Sequence, residues 1–238
     1  MNQQRATVLW NRQVGTAYKI GLACTGYDRS IPGQFVMVQV SDRHEPLLRR
    51  PFSIHGLTET SEGAGGIELL YKVVGVGTGI LANLKPGQTV DILGPLGNGF
   101  SIPAGSRRIY LVGGGFFFFF TQDDLLCLED FEKLGVTTII TTDDGSAGEK
   151  CSITQPLEQT VVKTPPEILC ACGPLAMLRC LIDISRRYHI PSQISLETMM
   201  ACGMGACLGC AVEKSDDSNQ YWHACKDGPV FDANLIRI

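Results

Sequence analysis

Residues 201–210 read Ala-Cys-Gly-Met-Gly-Ala-Cys-Leu-Gly-Cys, and a fourth cysteine, Cys225, follows after a further fourteen residues. The first three cysteines have the C-x4-C-x2-C spacing of plant-type two-iron, two-sulfur clusters. Such a cluster needs four converging thiolates, so the backbone must wrap tightly around it with N–H groups toward the sulfides. The interleaved glycines permit that wrap because they carry no obstructing side chain. The stretch therefore predicts a [2Fe–2S] cluster with the ligands Cys202, Cys207, Cys210 and Cys225.

Two other roles for these cysteines were open from the residues alone. A disulfide framework is disfavoured, because residues 1–5 lack the apolar core of a secretory signal and the other six cysteines are scattered singly. A structural zinc would favour two C-x2-4-C knuckles of similar size, whereas the second half of this pattern offers only Cys225. A zinc-stapled binding module without a redox role is the alternative that remains.

The composition bounds the class of protein. The chain has 238 residues, of which 44% are hydrophobic, enough for one or two buried cores. The net charge of −4 gives no support to a nucleic-acid partner. The longest apolar run, residues 109–120, is too short to span a bilayer. Ten cysteines without an export signal lead us to expect a cytoplasmic protein with no membrane span.

The N-terminal part of the chain, residues 1–103, has short apolar runs separated by glycine- and proline-rich turns. This pattern, without a long helical period, predicts a six-stranded antiparallel β-barrel. The predicted strands cover residues 7–10, 18–23, 35–40, 52–55, 67–74 and 89–93.

Two motifs within this barrel indicate a flat ligand that carries phosphate. The first is Arg50-Pro51-Phe52-Ser53, in which the arginine fork suits a pyrophosphate and the aromatic ring suits a planar group. The second is the glycine-rich turn around Gly77-Thr78, which leads into a short helix predicted over 80–84. Glycines there let backbone N–H groups approach a phosphate. Each motif alone is a weak signal, and the pair is a stronger one.

After residues 103–106, strands alternate with helices, which predicts a parallel sheet covered on both faces. We predict strands over 109–112, 136–142, 168–172 and 193–197, and helices over 125–134 and 175–188. Gly113-Gly-Gly115 and Cys172-Gly173-Pro174 mark two strand ends where a ligand is expected to bind. The predicted organisation is therefore β + α/β, with the barrel at 1–103, an α/β nucleotide-binding domain at 107–196 and a small iron–sulfur region at 197–238.

Taken in order along the chain, these motifs resemble those of the ferredoxin-reductase-type flavoproteins, and among them the electron-transfer subunits of NAD-dependent, B-type dihydroorotate dehydrogenases. The stretch from Ser195 to Cys210 is the most specific part of the resemblance. The resemblance implies an FAD whose pyrophosphate lies on Arg50 and whose flavin ring lies near Ser53. It places the rest of the FAD site on residues 50–53, on Leu70, Tyr71 and Lys72 beside the flavin, and on Gly77 and Thr78 at its phosphate.

The resemblance also implies a partner and an electron path. The partner is an FMN-containing catalytic subunit that oxidises dihydroorotate, in a heterotetramer of two of each subunit. Electrons would pass from FMN through the [2Fe–2S] cluster and FAD to NAD+, in pyrimidine (UMP) biosynthesis. A rival of the same build is the diaphorase-type FAD/iron–sulfur subunit of a hydrogenase or transhydrogenase.

Apolar side chains flank the cysteines, at Met199, Met200, Met204 and Leu208. They are expected to form a docking patch for the partner, because exposed apolar patches mark interfaces. The alternative is that these methionines fill a core.

One stretch departs from the family pattern Gly-Gly-Gly-x-Gly-x-x-Pro at the nucleotide site. Here Gly113-Gly-Gly115 is followed by five phenylalanines, so Phe117 and Phe120 replace the expected glycine and proline. Such a run would crowd the close backbone approach to a nucleotide. NAD, expected as the electron acceptor, is therefore the cofactor that the residues support least.

Overall fold

A computed structural model describes residues 1–42, 45–59, 65–114, 121–216 and 218–238. The chain forms two compact units. The first, here called the barrel unit, comprises Met1–Phe100 and Glu197–Val230, and the second, the sheet unit, comprises Ser101–Leu196 and Phe231–Ile238. The predicted domain division at residues 103 and 197 stays a prediction, since compactness alone does not tell which residues hold a cofactor.

Residues 1–100 of the barrel unit form an antiparallel sheet, which confirms the antiparallel strands predicted for this part of the chain. Within the described residues, its strands are β1 (Asn2–Val14), β2 (Ala17–Ala23), β3 (Phe35–Gln39), β4 (Arg50–Ser53), β5 (Gly56–Glu59), β6 (Gly65–Tyr71) and β7 (Thr89–Leu96), and a short helix, α1, spans Val76–Ala82. The strands follow the order β4-β3-β7-β1-β2-β6-β5. The predicted number of six strands is wrong, because this sheet has seven. The strand missed is β5, which begins directly after the strand predicted over 52–55 and pairs with β6.

The two edge strands of this sheet, β4 and β5, are joined by only two residues. Ile54 donates its backbone N–H to Gln34 O at 3.0 Å, on the β3 side, and His55 donates to Glu68 O at 2.8 Å, on β6. The sheet must therefore curl until its two edges approach. The curled sheet encloses a core of apolar side chains from alternating strand positions. Fully buried members of this core are Ile20, Leu22, Val36, Val38, Ile67, Leu69 and Ile92.

The cysteine-rich tail contributes a small hairpin to the barrel unit. Its strands are β11 (Ala211–Lys214) and β12 (Tyr221–His223), which pair antiparallel with Ala211 opposite His223. Lys214 places its ammonium group 4.2 Å from the centre of the Trp222 ring, a cation–π contact. The hairpin brings the residue after β12, and hence Cys225, back beside Cys210.

The sheet unit is built on parallel strands. Three of its strands are β8 (Ile109–Gly113), β9 (Ile168–Cys172) and β10 (Ser192–Ser195), and β9 pairs parallel with both β8 and β10. Strand β13 (Val230–Asp232) lies beside β10, and β14 spans Ile236–Arg237. The helices are α2 (Leu128–Lys133), α3 (Thr154–Lys163) and α4 (Leu175–Arg187), with a 3-10 turn at Gln122–Asp124.

One predicted strand of this unit, over 136–142, is wrong. Thr141 forms only an isolated bridge to Glu149, and the backbone amides of Thr142 and Glu149 bond within the same local loop. A strand needs a neighbour to satisfy its backbone groups, and this stretch satisfies them by turning back on itself. The helix predicted over 125–134 is shortened to α2, and α3 was not predicted. Across the described residues, no helix combines the length and apolar character needed to cross a membrane.

Candidate functional site

The structure brings the four predicted cysteine ligands together as two pairs. Cys210 and Cys225 are buried, and their sulfurs lie 3.2 Å apart. Cys202 is half-buried and Cys207 is exposed, and the backbone amide of Cys207 donates to the Cys202 sulfur at 3.4 Å. One pair is therefore shielded from solvent, and the other is partly accessible to it.

Backbone amides point at three of these sulfurs. The amides of Met204 and Gly205 donate to the sulfurs of Cys202 and Cys225 at 3.4 and 3.1 Å, and the amide of Cys225 donates to Cys210 at 3.5 Å. N–H groups directed at sulfur favour the thiolate, which is the form that binds metal. The N–H groups predicted to face the sulfides of a cluster stay a prediction, since the amides seen here point at the cysteine sulfurs.

Cys202 and Cys225 differ in the pKa of their thiols. Burial raises the pKa of Cys202, but the amides of Met204 and Cys207 outweigh it and lower the pKa to about 6. Burial, together with the adjacent Cys210, raises the pKa of Cys225 to about 12. A buried thiol of this kind needs a positive metal centre beside it to remain a thiolate.

A single metal ion and a two-iron cluster place different demands on four cysteines. A tetrahedral zinc would need all four sulfurs at about 2.3 Å from one point. A two-iron cluster shares four cysteines between two irons, so two separate pairs are what it requires. The donor set therefore fits a binuclear iron–sulfur cluster better than zinc.

The cysteine loop, residues 202–210, lies directly on the outer face of the barrel. A Cβ atom added to Gly203 would lie 2.4 Å from Cγ of Met37 and 3.4 Å from a methyl carbon of Leu96. Gly203 also has a φ of +71°, which side chains rarely tolerate. Met37 was not singled out from the sequence. The continuous apolar run Phe35-Val-Met-Val38 was the available signal, since it indicates a strand buried on both faces.

The two predicted phosphate-binding motifs are brought together. A Cβ atom added to Gly77, in α1, would lie 2.6 Å from Nε of Arg50, in β4. The Arg50 guanidinium therefore lies against the bare backbone at the start of α1, and its Nη1 donates to the carbonyl of Leu48. A cationic fork beside a glycine backbone is suited to a pyrophosphate.

Thr78 has a structural role in the same turn. Its hydroxyl accepts hydrogen bonds from the amides of Val74 and Gly75 at 2.9 and 3.2 Å, and donates to Gly75 O at 3.1 Å. The side chain is 8% exposed. Thr78 thus fixes the shape of the turn that presents Gly77.

The aromatic residues of the predicted flavin site lie mainly in the barrel core. Phe52 and Tyr71 are 9% and 2% exposed and meet edge to face at 5.7 Å, and Tyr18 stacks on Tyr71 at 5.9 Å. The structure therefore gives Phe52 a packing partner on the inside, whereas Pro51 and Ser53 point outward. Leu70 and Lys72 are half-buried on either side of Tyr71.

Asn11 is a further residue that sequence reasoning missed. Its amide group donates to the carbonyls of Leu81 and Leu84 at 2.8 and 3.2 Å, and its oxygen accepts from the Tyr71 hydroxyl at 3.1 Å. It therefore connects the end of α1 to strand β6. An asparagine in a polar stretch of a strand gave no sequence signal for this role.

The two strand ends predicted to bind a ligand also meet, within the sheet unit. Gly113 pairs with Cys172, and the amide of Gly114 donates to Cys172 O at 2.9 Å. Gly114 is so close to Pro174 that a Cβ atom on it would lie 2.7 Å from the proline ring. The phenylalanine run at 116–120 and Gly115 lie outside the described residues.

Comparisons with known families agree with both halves of this site. Residues 197–237 match the family model described as the iron–sulfur cluster binding domain of dihydroorotate dehydrogenase B. Residues 27–100 match the oxidoreductase FAD-binding domain. These matches confirm the predictions of FAD and an iron–sulfur cluster.

Full-length relatives and solved structures extend the comparison. The chain is 35% identical to the dihydroorotate dehydrogenase B (NAD(+)) electron transfer subunit of Caldanaerobacter subterraneus subsp. tengcongensis, with 98% of both chains covered. It is 39% identical to that of Bacillus caldolyticus, with 86% of each covered. The NADH-dependent reduced ferredoxin-NADP oxidoreductase structure matches with a TM-score of 0.79 at 25% identity, over 98% of this chain and 89% of that one. A ferredoxin NADP+ reductase from Neisseria gonorrhoeae, with a TM-score of 0.61 at 12% identity over 78% of this chain and 91% of that one, supports the fold alone.

Proposed function

Because this chain belongs to the family of dihydroorotate dehydrogenase B (NAD(+)) electron transfer subunits, we propose that it passes electrons from a catalytic partner to NAD+. It is an oxidoreductase subunit that binds FAD and an iron–sulfur cluster. The cofactors supply the redox chemistry, and the residues of the chain bind, space and orient them. The observation that carries the proposal is that one compact unit holds both the paired cysteines and the contact of Arg50 with Gly77.

We assign the FAD site to the residues that line the Arg50–Gly77 contact. Arg50 neutralises the pyrophosphate, and the backbone at Gly77, held in shape by Thr78, approaches it closely. Pro51, Phe52 and Ser53 form the strand beneath the flavin, with Ser53 near its ring. Leu70, Tyr71 and Lys72 run alongside it. The exposure of Ser53 and the half-burial of Leu70 and Lys72 support this assignment, because the core aromatics Phe52 and Tyr71 then brace the site from inside.

We assign the cluster, of the [2Fe–2S] type, to the four cysteines. Cys202 and Cys207 hold one iron, and Cys210 and Cys225 hold the other, which is what the two sulfur pairs support. The amides of the cysteine loop hold the thiolates in their charged form.

We place NAD+ at the meeting point of Gly113-Gly114 and Cys172-Gly173-Pro174, at the carboxyl ends of β8 and β9. Nucleotides bind at such strand ends in parallel sheets. The close packing of these two segments supports the assignment, since only glycines permit it.

The partner is the FMN-containing catalytic subunit of dihydroorotate dehydrogenase, in a heterotetramer of two of each, and we expect the assembly in the cytoplasm. The docking patch on this chain consists of Met199, Met204 and Leu208, which are 90%, 50% and 59% exposed, together with the half-buried Met200. The exposure of the first three argues against the core-filling alternative for those residues. The patch flanks Cys202 and the exposed Cys207, so a bound partner would place its flavin near the cluster.

The experiment that tests the function begins with anaerobic purification and measurement of flavin, iron, sulfide and zinc per chain. The proposal requires FAD and about two irons with matching sulfide. A colourless protein with one zinc would support the zinc-stapled alternative instead. Addition of the catalytic subunit and dihydroorotate should then produce NADH. Reduction of NAD+ only with hydrogenase subunits would support the diaphorase-type alternative.

A further inference from the structure

The turn Gly97-Asn98, directly after β7, holds the chain that follows the fourth cysteine. Asn98 donates its side-chain amide to the carbonyls of Asp227 and Lys226 at 2.9 and 3.5 Å, and its backbone N–H to Gly228 O at 2.5 Å. These carbonyls lie one to three residues beyond Cys225.

Gly97 brings the two backbones close enough for these bonds. It has a φ of +73°, and a Cβ atom on it would lie 2.6 Å from the ring of Pro229 and 2.7 Å from Gly228 O. Gln34 donates to Gly97 O at 3.0 Å, which ties the turn to the start of β3. The Gly97-Asn98 turn therefore holds residues 226–229 in a fixed position on the barrel through hydrogen bonds and close packing.

A short hydrogen-bonded turn links the residues held by Asn98 to Cys225. The amides of Lys226 and Asp227 donate to His223 O at 2.9 and 2.7 Å, and the Asp227 carboxylate accepts from the His223 amide at 2.7 Å. A displacement of residues 226–228 therefore displaces Cys225 with them.

A second contact fixes the other end of the cluster region. Met37 points away from the core residues Val36 and Val38 of its own strand, yet it is 0% exposed, because Gly203 covers it. A Cβ atom on the same glycine would lie 3.4 Å from Leu96, which is only two residues before Asn98. The cluster region is thus held on the barrel at both sides of its ligand set.

Both contacts lie a short distance from the flavin strand. Leu96 in β7 and Ser53 in β4 are both paired with Phe35 of β3, from opposite sides. Neighbouring strands are about 4.8 Å apart, so Leu96 and Ser53 are separated by about 10 Å. The same rigid sheet therefore carries the flavin strand and the surface on which the cysteines rest.

We propose that Asn98 is a positioning residue for electron transfer, which holds the Cys225 turn at a fixed distance from the flavin on the barrel. This inference rests on the proposed function, in which FAD lies at Arg50 and the cluster at the four cysteines. Asn98 contacts neither group and acts through the backbone of residues 226–228.

The test compares Asn98→Ala and Asn98→Asp with the matched control Gln4→Ala, in the protein loaded with FAD and cluster. Gln4 also donates a side-chain amide to a backbone carbonyl, that of Thr25 at 2.9 Å, but outside the cluster region. Asn98→Asp keeps the shape and loses both donors. Asn98 is exposed, so these variants are expected to fold with unchanged flavin and iron content.

Hydrogen exchange at the amides of Lys226 and Asp227 should quicken about tenfold in both Asn98 variants, because a lost hydrogen bond changes local opening by about that factor. After a light flash reduces the flavin in the presence of an organic electron donor, electron arrival at the cluster should slow in both variants. Gln4→Ala should change neither quantity.

Unchanged exchange and an unchanged electron-arrival rate in Asn98→Ala would overturn the inference. The inference would also be overturned if Asn98→Ala changed hydrogen exchange and electron arrival while Asn98→Asp kept the wild-type values. Packing by the side chain, and not its hydrogen bonds, would then be responsible. Failure of the proposed function is separate, since the wild-type protein itself would then lack FAD or iron.

Discussion

Arg50 and Gly77, which are 27 residues apart in sequence, lie so close that a Cβ atom on Gly77 would sit 2.6 Å from the arginine Nε. The contact is between a flexible side chain and a bare backbone, so an added methyl group would displace the guanidinium and leave the fold intact. Gly77→Ala should therefore weaken FAD binding by about tenfold to a hundredfold, the value of a lost charge-assisted bond. Flavin retention during gel filtration, followed by titration of the apoprotein with FAD, measures this.

The matched control for that change is Gly79→Ala, in the same helix. A Cβ atom there would meet only Val73 at 3.9 Å, an ordinary contact. Equal FAD affinities of the two variants would show that the guanidinium position does not matter.

The neighbouring arginines Arg49 and Arg50 should have opposite roles. Arg49 forms a 2.6 Å ion pair with Asp91, with both side chains less than one-fifth exposed, and donates to Asp91 O at 3.2 Å. Arg49→Ala should lower the free energy of unfolding by about 1–2 kcal/mol and change FAD affinity little. Arg50→Ala should change the free energy of unfolding little and lower the affinity for FAD. The affinity for FMN should fall less, because FMN lacks the pyrophosphate. Denaturant unfolding and flavin titration separate the two effects, and a matching loss of both quantities in both variants would refute the assignment.

The cluster ligands should be separable from the other cysteines. Cys225→Ser should lose most of its iron and sulfide, because the buried pair with Cys210 would lose one thiolate. Cys180→Ser, at an exposed position on α4, should keep both. Iron and sulfide assays with an electron paramagnetic resonance spectrum make the comparison. Full iron and an unchanged spectrum in Cys225→Ser would remove it from the ligand set.

The docking patch should be needed for assembly and not for cofactor binding. The double change Met204→Asp and Leu208→Asp places two charges in a proposed apolar interface, so association with the catalytic subunit should weaken by at least about tenfold. Leu57→Asp, at a 51% exposed leucine on β5, serves as the control. Sedimentation with measured FAD content tests both variants. Normal assembly and NAD+ reduction by the double variant would place the interface elsewhere.

Asn11 should stabilise the barrel through its three hydrogen bonds. Asn11→Ala would leave the carbonyls of Leu81 and Leu84 and the Tyr71 hydroxyl without this partner, at a cost of about 1–3 kcal/mol. The control on the same strand is Gln13→Ala, which removes one exposed bond to Gly15 O. Thermal unfolding should distinguish the two, and equal midpoints would show that Asn11 does not secure α1.

The sequence predicted those features that depend on neighbouring residues. The C-x4-C-x2-C spacing with its glycines indicated a cluster loop, because the ligands and the wrapping backbone are local to nine residues. Turn residues and alternating apolar runs predicted the antiparallel strands for the same reason. The strand predicted over 136–142 failed because local propensity does not supply a partner strand, and its backbone bonds to Glu149 instead.

Only the tertiary structure decided which distant residues meet. Arg50 lies against Gly77, which is 27 residues away in the sequence, and Met37 is buried beneath Gly203, 166 residues away. Asn98 binds residues 226–228, which are about 130 residues away. A single sequence carries no signal for such pairings, because any of several asparagines or methionines has the same chemistry. The folded barrel, in which two residues join the edge strands β4 and β5, decides which of these residues lie together.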